Sequence, residues 1–347
     1  MNFLSGRTSY RKGGKRQDMV KYIIKRILAM IPVLLGVMII VYSLSNFMPG
    51  DPVANKLSST YTQEEYDAME EKLGLDKPFL TRLVNYIVGV VTRGDLGNSY
   101  STYQPVTDSI KTRLGVTLRL GILGLLVSAI FGISIGIFSA VKQNTAADYI
   151  ITTLSIVLAS LPGFWLALEC ILIFSATLKI LPASGLTTWK HYILPVFCNS
   201  MMTVAQIIRM TRSSMLEVIR QDYVRMARSK GMKESRVIFH HCFKNALIPV
   251  ITVLGGQVGM LMGGSIIVET IFNIPGMGML MMSAINSRDY PMIMGITVVI
   301  STFVCVCNLL VDIIYTFVDP QIRSQFSSGS KSSGKKKAPE ITAKEAV

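Results

Sequence analysis

The chain is poor in charge. Only 16% of its 347 residues are Asp, Glu, Lys or Arg, half are hydrophobic, and mean hydropathy is +0.46. Soluble domains are about a quarter charged, so this balance argues against a soluble fold and for a membrane protein. Cysteine is also scarce. Cys170, Cys198, Cys242, Cys305 and Cys307 fall mostly inside apolar runs, and none forms a CxxC pair. They read as small buried apolar residues, with no disulfide framework and no metal site. The histidines, His191, His240 and His241, lie far from any carboxylate cluster, and the adjacent pair reads as solvated or packed. Enzyme motifs are missing too. There is no GxxxxGK[ST] loop, no GxSxG and no HExxH. Gly334-Lys335 lacks the upstream glycine and flanking elements of a phosphate loop, and Gly276-Met-Gly278 lies in a loop without a strand–turn–helix context. No catalytic residue and no bound cofactor is expected.

What the chain does have is long apolar runs. A helix needs roughly 20 mainly apolar residues to cross about 30 Å of hydrocarbon. Six stretches qualify: about Tyr22 to Phe47, Val116 to Val141, Tyr149 to Leu178, Tyr192 to Met210, Leu247 to Phe272 and Met292 to Val318. The fourth is the most polar, with Asn199, Ser200 and Gln206. The first is too long for the apolar core of a signal peptide and has no cleavage site after it, so it reads as a retained span. The net charge of +14 is carried by three basic regions: the N-terminus, the segment between spans four and five, and the tail. With six spans all three fall on one side, which places both termini in the cytoplasm. Nucleic-acid binding is a poor explanation of this charge, because it lies in loops between apolar runs.

The expected organisation follows. Residues 1–20 form a basic cytoplasmic extension and 21–47 the first span. Residues 48–115 form a small, mostly helical external subdomain. Residues 116–320 hold five more spans with a cytoplasmic loop at about 211–246, and 321–347 form a disordered Lys/Ser-rich tail. Within the external piece, Thr62 and Glu65 have capping-box spacing, Tyr66, Met69 and Leu73 have helical spacing, and Gly74 is placed to end that helix. A second helix is predicted from Phe79 to about Val91.

Glycine and proline interrupt several spans. Pro162-Gly163 is expected to kink or unwind the third, and Gly255, Gly256, Gly259, Gly263 and Gly264 crowd the fifth. Small residues let helices approach closely in lipid, and broken helices are tolerated where they line a path. Packing and path-lining both remain open for them. Three carboxylates fall within spans: Glu169, Glu269 and Asp312, the last on one stripe with Asn308 and Tyr315. Each is a functional candidate by its cost, yet three scattered acids do not make a proton or sodium pathway, and a structural role is the expectation for Asp312.

The most informative segment is polar and Arg-rich: Asp222-Tyr-Val-Arg-Met-Ala-Arg-Ser-Lys-Gly231, running on to Asn245-Ala-Leu-Ile-Pro249. Its composition favours a helix over Tyr223 to Lys230 that stops at Gly231. A second helix is predicted over about Glu234 to Ala246. Such a helix could dock into a soluble partner, with Asp222, Tyr223, Arg225, Met226, Ala227, Lys230 and Gly231 at the contact. It could equally be a solvated loop or lie on anionic lipid heads.

These residues resemble the permease subunits of the dipeptide/oligopeptide/nickel branch of ABC importers, the DppB and OppB type. The resemblance runs from about Lys21 to Arg323. It rests on Met48-Pro-Gly-Asp-Pro-Val53, Arg93-Gly-Asp-Leu-Gly-Asn-Ser99, the 222–249 segment, Phe272-Asn-Ile-Pro-Gly-Met-Gly278, Arg288-Asp-Tyr-Pro291, Asn308-Leu-x-x-Asp312-x-x-Tyr315 and Asp319-Pro320, in order. It implies a six-helix, type I importer architecture and import of short peptides, with nickel or glutathione as alternatives. It implies a second, similar permease, two ATPases that carry ATP and magnesium, and an external substrate-binding protein as partners. Residues 222–249 then correspond to the loop that docks into an ATPase cleft. Arg225-Met-Ala227 occupies the place of its Glu-Ala-Ala triplet, without the acidic residue or the first alanine, and Gly231 is its glycine. An ion-coupled secondary transporter or a membrane scaffold is the reading from another class. The first would need ionisable residues converging at mid-membrane.

Overall fold

The computed structural model describes residues 12–47, 51–57 and 60–318. The readings of the tail, of Asp319-Pro320, of Met48-Pro49-Gly50, of residues 1–11 and of the Tyr315 side chain fall outside the described residues and side chains. Among the described residues the chain is helical, with no strand.

Helix α1 (Lys12–Phe47) contains the first apolar run. Two short helices follow, α2 (Gln63–Leu73) and α3 (Phe79–Arg93). Thr62 caps α2 as its spacing predicts. The Glu65 N–H donates to Oγ1 of Thr62, and the Thr62 N–H donates to the Glu65 carboxylate at 2.9 Å. Gly74 ends α2 at φ +68°, a left-handed turn that side chains disfavour. Helix α4 (Val106–Val141) begins ten residues before the apolar run at Val116, because Pro105 starts it and its first turns pack against neighbours instead of lipid.

The third apolar run is broken. Helices α5 (Ala146–Ser160) and α6 (Gly163–Cys170, continued by a π turn over Ile171–Thr177) meet at 103°. Pro162 lacks a donor and stands as the N-cap of α6, so the bend falls where the sequence predicts a break. Helix α7 (Lys190–Ile219) outlasts its apolar run by nine residues. Helix α8 (Asp222–Ser229) is separate. The one-turn helix α9 (Glu234–Arg236), a π turn over Val237–Phe243 and α10 (Lys244–Ile271) then run on as one rod. Pro249 lies inside α10 and does not end it. Helices α11 (Met277–Asn286) and α12 (Tyr290–Val318) complete the described chain. Five described helices are long and apolar enough to cross a membrane, and the bent pair makes six.

Helix α7 sits at the centre, and its largest contact is with α4. Its polarity has an inward use. Gln257 donates to Gln206 at 2.6 Å, and the Ser128 hydroxyl reaches the Ser200 carbonyl at 3.3 Å. Glycines set the closeness of the helices. A Cβ on Gly132 would lie 2.6 Å from Ile207, and one on Gly136 2.6 Å from Thr211 and 2.9 Å from the Ile208 carbonyl. On α10, Gly255 and Gly259 meet Val311 and Val304 of α12, whereas Gly256 and Gly263 face open space. The four glycines of the fifth span whose surroundings are described therefore divide into a packing pair and a pair left uncovered by the described residues.

Candidate functional site

The 222–231 helix is amphipathic, and the structure sorts its residues. Val224 and Ala227 are buried in an apolar cluster with Ile137 and Ala140 of α4, Met215 of α7, Ile238 and Cys242 of the π turn, and Ala246 of α10. Asp222, Tyr223, Arg225, Met226, Lys230 and Gly231 are exposed, Met226 at 61%. Ala227 thus differs from its expected role: it anchors α8 to the bundle and cannot itself touch a partner. Gly231 turns the chain at φ +73°, and Arg228 reaches across the turn to Glu234 through bonds of 2.6 and 3.2 Å. The Tyr223 hydroxyl accepts from Asn245 at 2.9 Å, joining the two ends of the 222–249 segment. The Asp222–Arg225 pair is long, at 3.8 Å, and exposed, and it adds little.

Next to this cluster lies an ion pair that sequence reasoning missed. Asp148 on α5 is 1% exposed. Arg212 on α7 holds it through two bonds of 2.7 Å. Asp148 also accepts from the Ser139 hydroxyl on α4 at 2.5 Å and from the Asn144 N–H at 3.1 Å. One carboxylate therefore ties three helices together, within a turn or so of the residues that hold α8. Its only sequence signal is an acid at the start of an apolar run, and that signal does not name its partner.

At the other end of the bundle, motifs that are far apart in sequence meet. Asp289 accepts from the Ser99 hydroxyl, from the Tyr100 N–H at 2.9 Å and from the Ser101 N–H at 3.2 Å, which joins the 93–99 and 288–291 motifs. Glu269 is fully buried, and no cation pairs with it among the described residues. It accepts from Thr117 at 2.6 Å, Ser265 at 3.0 Å, and the N–H groups of Gly278 and Met279 at 2.6 and 3.3 Å. A helix N-terminus with free N–H groups compensates an anion, so α11 takes the place of a counter-ion. A Cβ on Gly276 would lie 2.3 Å from that carboxylate, which accounts for the glycine in the 272–278 motif.

The remaining predicted residues do not converge. Pro162 and Gly163 are exposed at the bend, and Glu169 is half-buried on α6. Asp312 pairs with Arg26 of α1 at 3.1 Å, while Asn308 is exposed. Among the described residues no group of three or more His, Cys, Asp or Glu could hold a metal.

These features define an all-helical, multi-pass membrane subunit with a protruding amphipathic helix. Two family models match. "Binding-protein-dependent transport system inner membrane component" covers residues 132–324, and its N-terminal companion covers residues 19–121. The dipeptide transport system permease protein DppB of Alkalihalophilus pseudofirmus is 39% identical over 333 residues, covering 88% of this chain and all of that protein. The glutathione transport system permease protein GsiC of Pectobacterium atrosepticum is 40% identical over 305 residues, 88% of this chain and 99% of that protein. An inward-facing structure of the MetNI methionine ABC transporter aligns with a TM-score of 0.52 at 16% identity, over 61% of this chain and 96% of that one, and supports the fold. The chain belongs to the family of inner-membrane permease components of binding-protein-dependent transport systems. It is a non-catalytic transport subunit, and its family works with a separate ATPase and a substrate-binding protein.

Proposed function

We propose that this chain is one of two similar permeases in an ATP-driven importer of short peptides, with both termini in the cytoplasm. The single observation that carries the coupling reading is the two-sidedness of α8. Its inner face is buried among the ends of α4, α7 and α10, while Tyr223, Arg225, Met226 and Lys230 stand free. A partner that grips the free face moves the spans through the buried one. ATP and magnesium belong to that partner. For work to be done, the ATPase must bind the two conformations of the bundle with different affinity. The translocation path then runs between the two permeases, along the α10 face that carries Thr252, Gly256, Met260 and Gly263, which this chain leaves exposed. The peptide substrate is supported by relatives named for dipeptide, peptide and glutathione transport.

The test is reconstitution of the assembly in vesicles with ATP and labelled di- and tripeptides, glutathione included. Uptake that needs ATP, and a cysteine at Met226 that cross-links to the ATPase, are the expected results. Uptake on an ion gradient without nucleotide would sink the reading.

A further inference from the structure

The subdomain between the first two spans, with α1 and α12, forms an open cleft of about 190 Å³ that the coupling reading does not use. Six pieces of chain wall it: the end of α1, the loop at 51–53, α2, α3, the turn at Tyr100 and the start of α12. Its lining is unusual in charge. Arg82 of α3 stands on it, as do Asp51 and Glu70, yet Arg82 pairs with neither acid. The guanidinium donates to the Asn46 side chain at 2.9 Å, and its Nε is buried with no partner among the described residues. A buried donor left unsatisfied is costly, and a planar guanidinium is suited to a carboxylate.

On the acidic side, one Asp51 oxygen accepts from the N–H groups of Val53 and Ala54 at 2.8 and 3.2 Å, and the other from the Tyr66 hydroxyl at 2.8 Å. A carboxylate has about four acceptor sites, so one remains. The Asp51 bond pushes the Tyr66 phenol up to about 12, so this hydroxyl stays a donor. Tyr290 also lines the cavity, and its hydroxyl is buried without a partner among the described residues. Tyr42 and Tyr100 add aromatic faces, which favour a cation. A larger cavity of about 550 Å³ shares Tyr42, Arg82, Tyr100 and Met294, so the guanidinium is approached from two sides.

We propose that this cavity binds a small zwitterion, a free amino acid or dipeptide, with its carboxylate at Arg82 and its ammonium at Asp51 and Glu70. The volume suits such a ligand, being that of about six waters at roughly 30 Å³ each. The site belongs to the permease itself, apart from any binding protein and from the α10 face. It offers a second checkpoint for a solute with both ends free.

The experiment uses the full chain with its partner subunits in lipid nanodiscs, without ATP, and labelled alanyl-alanine as probe. Saturable binding is expected, weakened at least tenfold by N-acetylation or by methyl esterification. In Arg82→Gln the ester and the free acid should bind alike, while the penalty for N-acetylation persists. Tyr290→Phe removes only an unpartnered hydroxyl, so it should fold normally and bind severalfold more weakly. Absence of saturable binding overturns the proposal. So does binding that both variants leave unchanged in strength and in end-group discrimination, since the dipeptide then sits elsewhere. No ATP is involved, so either failure leaves the importer reading standing.

Discussion

Replacing Asp148 by Asn removes one charge from a site where three helices meet. In the native chain Arg212 donates twice to this carboxylate at 2.7 Å, with Ser139 and the Asn144 N–H completing its shell. Asn keeps the shape and loses the charge, leaving the guanidinium next to a neutral amide. Removing one partner of a buried pair costs about 3–5 kcal/mol. The Arg212 side chain is 27% exposed, so water recovers part of that, and we expect about 3 kcal/mol. That is roughly a hundredfold in the folded-to-unfolded ratio. Replacing both residues by apolar ones of similar volume should cost far less than either single change, because the penalty is the stranded charge and not the lost attraction. The assay is a double-mutant cycle on the purified chain, read from the midpoint of denaturant unfolding. A coupling energy of about 1–3 kcal/mol is expected for groups in contact. If Asp148→Asn unfolds within about 0.5 kcal/mol of the native chain, or the two changes simply add, the ion pair does not hold these helices and the reasoning fails.

Other outcomes are equally specific. Gly136→Ala drives a methyl group against the Ile208 carbonyl and Thr211, and should destabilise the chain by about 1–3 kcal/mol in the same unfolding assay. A Cβ on Gly256 has no neighbour within 4 Å among the described residues, so the unfolding midpoint of Gly256→Leu should hold, while co-purification of a second permease should fall. Gly231→Ala forces a side chain into left-handed backbone at about 1–2 kcal/mol. Uptake should drop while the ATPase still co-purifies, and unchanged uptake would count against α8 as a lever. Tyr66 should ionise late, near pH 12, because its bond to Asp51 favours the protonated phenol. Its folded value lies above the ordinary 10.0, so the bond's contribution is complete below pH 10 and fades as pH rises towards 12. Phenolate absorbance should show one tyrosine brought back towards 10 by Asp51→Asn.

Local signals were legible where local physics decides. The capping box at Thr62 and Glu65, the left-handed stops at Gly74 and Gly231, and the break at Pro162 depend on neighbours within a turn of helix. Boundaries were less legible. The sequence sets a helix over about Glu234 to Ala246 apart from a span beginning at Leu247, yet one rod runs from Glu234 to Ile271 with Pro249 inside it. Helix α7 reaches Ile219 through Arg209 and Arg212, because Arg212 has a buried partner that hydropathy does not register. The role of Ala227 changed for a related reason. A triplet position says where a residue falls in a motif, and only the turn of the helix says which way it faces.

From the residue string alone follow the six apolar runs, the exposed helix between spans four and five, and the family. Hydrophobicity and charge act on each segment separately, in lipid or in water, so no knowledge of neighbours is needed. The tertiary structure decided the pairings: Asp148 with Arg212, Ser99 with Asp289, Glu269 with the start of α11, and Arg82 beside an acid it does not touch. These join residues from 9 to 190 positions apart where a bond is made. Their energies depend on separation in space and on the exclusion of water, and neither is a property of a residue's place in the chain.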